Sequence, residues 1–153
     1  MDVEIHLDAC LTGVGAVFKD EIYAGKIPEQ LRHLHIAALE MLNILVAIRL
    51  WANEWSGLSL KIHCDNQAVV SVLRCGKTRD PDLASISRNI FMLFAKYDVF
   101  LIVEHVAGKN NQLADLLSRW SDSPSDRANL RSLLPSHTWL QITEDHFWID
   151  PTI

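Results

Sequence analysis

Cysteine is scarce in this chain of 153 residues: Cys10, Cys64 and Cys75 are the only three, odd in number and without a Cys-x-x-Cys pair. A disulfide framework and a cysteine-built zinc site are thereby excluded, and the thiols read as reduced and intracellular. Cations are also in the minority. Fourteen Lys and Arg against nineteen Asp and Glu leave a net charge of −5, a field that does not draw in polyanions. A free-standing, high-affinity nucleic-acid binder is therefore disfavoured, and any nucleic-acid partner has to be held locally or by a tether. No apolar run reaches the roughly 18 residues of a membrane span, and no basic segment followed by an apolar one opens the chain. Neither a bilayer anchor nor a secretion address is expected. No internal repeat is visible, and strand-like sequence begins almost at Met1, the look of a piece excised from a longer polypeptide.

What is present suffices for one ordinary domain with a real core, since 49% of the residues are hydrophobic and only 22% charged. Val3, Ile5 and Leu7 alternate with Glu4, His6 and Asp8, the period of a half-buried strand. Gly13 and Gly15 punctuate, after which residues 16–18 and 22–24 flank Lys19, Asp20 and Glu21 as a hairpin. Beyond Pro28 the spacing turns helical, with Leu34, Ala38, Met41, Leu45, Ile48 and Ala52 recurring every three or four positions. That helix is apolar nearly all round, so it packs on more than one neighbour. Its Trp51 and Trp55 are either core residues or anchors of a docking surface.

Residues 58–65 read as a strand, and 66–75 as a helix stopped by Gly76. Asp80-Pro81 starts another helix, running to residue 97 with Leu83, Ile86, Ile90, Leu93 and Phe94 on one stripe. A β-branched strand over 99–106, a loop over 108–111 and a short helix over 112–120 follow. Residues 121–126 are a linker by composition, and 127–153 carry Trp139, Phe147 and Trp148 without a clear period.

The order β, β, β, α, β, α, α, β, α implies a mixed sheet with helices on both faces, in which the first, fourth and fifth strands run parallel. If the first strand neighbours the fourth, their carboxyl ends meet in the crevice where open α/β sheets place their sites. Both strands end in aspartate, Asp8 and Asp65, at matching parity, so both side chains leave the same face. For Asp65 a helix N-cap is the plainer alternative. Glu40 interrupts a helical row made by Ile36, Ala37, Asn43, Ile44 and Ala47, and Glu is rarely buried unless paired or bound to a metal. A place at the helix edge, or an ion pair with a residue such as Arg32, is its ordinary explanation. Asp115 shares its face with Asn111, Gln112, Ser118 and Arg119, and taken alone it is solvated.

Three or four carboxylates converging in one crevice repel one another unless a cation neutralises them. Donors that are all oxygen suit a hard ion such as Mg²⁺. The reaction this implies is phosphodiester hydrolysis with two metal ions about 4 Å apart, needing no serine or cysteine nucleophile. His33, His35 and His63 lack the i, i+4 spacing of a helical transition-metal pair and sit among apolar residues, so they point to no such site.

Four segments together resemble ribonuclease H: 5–8 (Ile-His-Leu-Asp), 35–40 (His-Ile-Ala-Ala-Leu-Glu), 62–68 (Ile-His-Cys-Asp-Asn-Gln-Ala) and 106–119 (Val-Ala-Gly-Lys-Asn-Asn-Gln-Leu-Ala-Asp-Leu-Leu-Ser-Arg). The likeness covers residues 1–120 and leaves 121–153 as a linker and tail of unknown role. It is closest to the ribonuclease H domains of retrotransposon reverse transcriptases, of DIRS-like or LTR type. The resemblance implies a ribonuclease H-like α/β fold with a five-stranded sheet in the order 3-2-1-4-5. It also implies an Mg²⁺- or Mn²⁺-dependent endonuclease cutting the RNA strand of RNA/DNA hybrids, attached to the polymerase part of a reverse transcriptase. By that likeness Asp8, Glu40, Asp65 and Asp115 hold two ions, Glu40 nearer the leaving side and Asp115 nearer the activated water. Asn66 and Gln67 match positions that read the minor groove and RNA 2′-hydroxyls, or else are ordinary helix-start polarity. His105 is the candidate for a product-release histidine, the alternative being a strand residue facing solvent. Arg74, Lys77 and Arg79 are better read as helix-end cations than as DNA contacts. Relative to the family, the loop after Asp8 is shortened and a basic protrusion is missing near residues 75–79. A catalytically silent domain of the same fold, serving as spacer or binding platform, is the rival reading. A DNA transposase or exonuclease on this fold is another.

Overall fold

The alternation at the start of the chain produces strand β1, Asp2–Ala9, whose Val3, Ile5 and Leu7 are buried while Glu4 stays exposed. A computed structural model describes residues 2–120 and 122–153; Met1 and Ser121 of the expected linker lie outside the described residues. β2 is Gly13–Phe18 and β3 Glu21–Lys26, joined by a tight turn in which Lys19 takes a φ of 55°. Helix α1, Ile36–Trp51, follows, then β4, Ser59–Cys64, and α2, Gln67–Cys75. Next come α3, Pro81–Tyr97, β5, Phe100–His105, and α4, Gln112–Ser118. Asp80 caps α3 by accepting from the Asp82 and Leu83 amides at 2.9 and 3.0 Å, with Pro81 in the first turn.

β1 pairs in parallel with β4 in the register Ile5 to Ile62 and His6 to His63, and β4 pairs in parallel with β5. β1, β2 and β3 form the antiparallel meander. The expectation of five strands needs correction: the sheet has six, in the order β5-β4-β1-β2-β3-β6. β6 is only Thr138–Trp139, too short to show a period in the sequence, and it is recruited by main-chain bonds from Thr138 to Asp20 and from Leu140 to Ile22, both 2.8 Å.

The composition-based linker is also shorter than read. Pro124 opens helix α5, Pro124–Leu133, where a proline at the first helical position is pre-set for the turn. Farther on, Phe147 is 2% exposed inside the main core, Arg49 donates to the His146 carbonyl at 2.9 Å, and Asn89 bonds the backbone of Asp150. The tail is packed down.

α1 is buried without interruption from Ala37 to Ile48, because it lies between the sheet, α3 and the turn Glu144–Phe147. Contrary to the expectation, the 19-residue stretch Ile36–Glu54 is long and apolar enough to cross a membrane, but 78% of its apolar window is buried inside the fold. Trp51 and Trp55 are 1% and 0% exposed and pack with Phe18 and Tyr23 at ring distances near 5.5 Å. They are core, and the docking alternative falls. Gly13 and Gly15 turn out to be strand residues rather than breaks. A Cβ on Gly13 would meet the Ser118 carbonyl at 2.2 Å and one on Gly15 the Leu117 Cβ at 2.5 Å, so their absence lets α4 lie directly on β2.

Candidate active site

Two buried amides set the frame of the site. Asn43 on α1, 0% exposed, donates from Nδ2 to the carbonyls of Asp8 at 2.9 Å and Gly15 at 3.0 Å, and the Tyr23 hydroxyl donates in turn to its side chain. Asn43 thus locks α1 across the end of β1, and Glu40 lies one turn earlier on the same helix face. Asn111, just before α4, donates from Nδ2 to the Leu7 carbonyl at 2.7 Å. That bond, with the glycine-lined seat on β2, delivers Asp115 from the other side. Sequence reasoning gave neither asparagine a role, although a polar residue in an apolar helical row, the signal used for Glu40, applies equally to Asn43.

The four acids gather. Asp8 is 5% exposed, and its carboxyl lies within hydrogen-bonding reach of those of Glu40 and Asp115 and feels the charge of Asp65. Ligand-capable atoms of Glu40, Cys64 and Asp65 all fall within 4.8 Å of one another. Asp8, Glu40, Asp65, Asn66, Arg119 and Asp122 share the wall of a cavity of about 860 Å³. Asp115 stands beside that wall, its Oδ1 accepting from Arg119 Nε at 3.0 Å. Arg119 is the one cation among the described residues lining the cavity, another feature the sequence reading passed over.

The ordinary explanations for two of the acids do not apply. Asp65 is not the cap of α2, because Asn66 takes that place and accepts from the Val69 amide at 3.1 Å. Arg32 donates to the Ile27 carbonyl at 2.8 Å rather than to Glu40. Glu40 is 4% exposed, and its Oε2 has no hydrogen-bond partner among the described residues. Burial, then the charges of Asp8 and Asp65, push its carboxyl from the ordinary 4.5 up to about 10. Burial likewise raises Asp8 from 3.8 to about 7, with Asp65 and Asp115 adding to the effect and the contact with Glu40 opposing it. Such a cluster holds protons at neutral pH that a divalent cation would replace, and its oxygen donors suit a hard ion.

His105 is the last residue of β5, opposite Cys64, and its exposed ring reaches the Asp65 carbonyl with Nε2 at 3.2 Å. It belongs to the strand and still borders the site. Gln67 is exposed at the first position of α2, beside Asn66 at the cavity. Arg74 is tied to the Val103 carbonyl at 3.0 and 2.7 Å, whereas Lys77 and Arg79 are exposed. His35 pairs with Asp80 at 2.8 Å and His63 with Glu4 at 3.4 Å, so these histidines serve different neighbours.

A mixed sheet of this order, helices on both faces and acids at adjacent strand tips define a ribonuclease H-like domain. More particularly, the chain belongs to the reverse transcriptase-like family, whose pattern matches residues 2–121. The ribonuclease H1 of the halophilic archaeon Halobacterium salinarum is similar in structure, with a TM-score of 0.66 at 20% identity over 80% of this chain and 100% of that one. The N-terminal ribonuclease H domain of a Mycobacterium tuberculosis protein gives 0.60 at 19% identity, covering 84% of this chain and 96% of that one. LC11-RNase H1, from a compost metagenome and solved in complex with an RNA/DNA hybrid, gives 0.58 at 16% identity over 76% of this chain and 91% of that one. No curated protein matches.

Proposed function

We propose that this domain is an endonuclease that hydrolyses the RNA strand of RNA/DNA hybrids, as the ribonuclease H part of a retrotransposon reverse transcriptase of DIRS-like or LTR type, working inside the cell. The observation that carries the reading is Glu40: a carboxyl 4% exposed, lining the cavity beside Asp8 and Asp65, with one oxygen that has no hydrogen-bond partner among the described residues. The Ala9 amide offsets only part of the cost of burying this carboxyl beside Asp8 and Asp65, and a cation at the same place offsets the rest. The family match and the hybrid-bound LC11-RNase H1 support the substrate class.

Asp8, Glu40, Asp65 and Asp115 are the residues that would hold two Mg²⁺ or Mn²⁺ ions. When bound, the ions supply Lewis acidity to the scissile phosphate and a water activated at neutral pH. The protein's own contribution is placement. Asn43 and Asn111 hold the β1 tip rigid between α1 and α4, so the acids need little rearrangement. Asn66, which lines the cavity, and Gln67 next to it would read the sugar edge of the hybrid, where a 2′-hydroxyl distinguishes RNA from DNA. His105, exposed and within 3.2 Å of the Asp65 carbonyl, would assist departure of the cut strand. With a net charge of −5 the domain depends on a tethered polymerase to bring the hybrid to it.

The decisive test is cleavage of hybrid, duplex DNA and single strands side by side, with and without Mg²⁺. Hybrid alone is cut, only with metal, and Glu40→Gln lowers the rate by about a hundredfold or more. A Glu40→Gln protein cutting at the normal rate refutes the site. One observation favours a silent spacer instead: Asp115 is already neutralised by Arg119. Mn²⁺ titration separates the two, since a spacer binds no Mn²⁺ in the millimolar range.

A further inference from the structure

Cys64 has no task in that reading. It closes β4, is 1% exposed, and burial pushes its thiol up to about 12. Yet its Sγ faces the acids: with one oxygen each from Glu40 and Asp65 it forms a set of donors within 4.8 Å of one another. Independently, Glu40 lines the cavity with a buried Oε2 that no group among the described residues satisfies.

A tetrahedral zinc ion takes a thiolate sulfur at about 2.3 Å and carboxylate oxygens at about 2.1 Å, which sets its donors about 3.5 Å apart. The cluster has to close by about 1 Å, within the range of side-chain rotation. Softness then selects the ion, since Mg²⁺ gains nothing from sulfur while Zn²⁺ and Cd²⁺ bind thiolate and carboxylate together. This mixed set differs from the cysteine-built structural zinc site that the spacing excludes.

We propose that Cys64 Sγ, Glu40 and Asp65 form an inhibitory site for a thiophilic divalent ion, Zn²⁺ or Cd²⁺. Coordination makes one sulfur–metal bond and releases the thiol proton to solvent, with no electron transferred. Binding stands on the donor geometry alone. Inhibition rests on the function proposed above, because Glu40 and Asp65 are then withdrawn from Mg²⁺.

Cd²⁺ added to the full chain in thiol-free buffer is followed through the ultraviolet thiolate-to-cadmium charge-transfer band. The double variant Cys10→Ala/Cys75→Ala, which removes the two other thiols, keeps the band; adding Cys64→Ala abolishes it. Glu40→Gln in the double variant leaves every Cys64 contact in the chain available and weakens Cd²⁺ binding by about tenfold or more, the scale carried by even an outer coordination contact. That measurement decides the matter if the Cys64 variant fails to fold by circular dichroism. A band that persists without Cys64, or a Glu40→Gln protein with unchanged Cd²⁺ affinity, overturns the proposal. Hybrid cleavage in Mg²⁺ keeps the two readings apart. A band without any cleavage refutes the nuclease and leaves the site standing, whereas cleavage undiminished by bound Cd²⁺ refutes the inhibition.

Discussion

Arg119 donates from Nε to Asp115 Oδ1 at 3.0 Å, four residues back along α4, while lining the same cavity as Asp8, Glu40 and Asp65. The pair joins the cavity's one cation, among the described residues, to the acid that arrives from the opposite face of the sheet.

On the proposed function, that guanidinium is available to a substrate phosphate. Arg119→Gln is expected to raise KM for hybrid several-fold and to lower the slope of log affinity against log salt by about 1, the signature of one lost phosphate contact. Arg119→Lys recovers part of the affinity, as a point charge replaces a planar fork. Cleavage kinetics at a series of salt concentrations check this; an unchanged salt slope assigns Arg119 to Asp115 alone.

The pH dependence of metal-free stability follows from Asp8 and Glu40. Their carboxyls titrate near 3.8 and 4.5 when unfolded but are raised to about 7 and about 10 in the fold. Between those limits the folded state holds more protons, so the unfolding free energy falls as pH rises. Their contribution is complete below the unfolded values and is lost as pH climbs through the raised ones. Melting temperature in chelator should therefore fall from about pH 5 to about pH 9. Mg²⁺ should raise it far more at the alkaline end, where the carboxyls are ionised and bind the ion most tightly; an ion at a hundred times its Kd adds about 2.7 kcal/mol of stability. Glu40→Gln flattens both trends.

Asn43 serves three partners at once, the carbonyls of Asp8 and Gly15 and the Tyr23 hydroxyl. Asn43→Leu strands them in the core, at about 1–3 kcal/mol for each unsatisfied group. Denaturant unfolding should show the loss, and the remaining folded protein should bind Mn²⁺ more weakly because the β1 tip is no longer fixed against α1.

Truncation at Phe147 tests whether the tail belongs to the domain. Phe147 is 2% exposed against the main core, so Phe147→Ala is expected to cost about 3–5 kcal/mol. A midpoint within 0.5 M denaturant of the parent chain, roughly the scatter of surface substitutions, would make residues 138–153 a detachable appendage.

Much of the site was legible before any coordinates. Asp8 and Asp65 announce themselves as polar ends of alternating strands, and Glu40 as a charge in an apolar helix, because strand and helix periods are local properties of the chain. β1 to β5 and the parallel run of β1, β4 and β5 were legible for the same reason, through the meander and the helical crossovers, whereas their order followed from the resemblance. Asp115 had no such signal of its own; only the surrounding motif singled it out.

Other features depend on which residues meet across the fold. Gly15 looked like a break and is instead the seat of α4, β6 is two residues long, and Trp51 and Trp55 are core. Periodicity, spacing and composition by themselves marked β1 to β5, α1 to α4 and three of the four acids, but not α5 or β6. Only the tertiary structure decided how Asn43, Asn111, Arg119 and Cys64 stand around them, because hydrogen bonds and ion pairs between distant segments leave no period in the sequence that makes them.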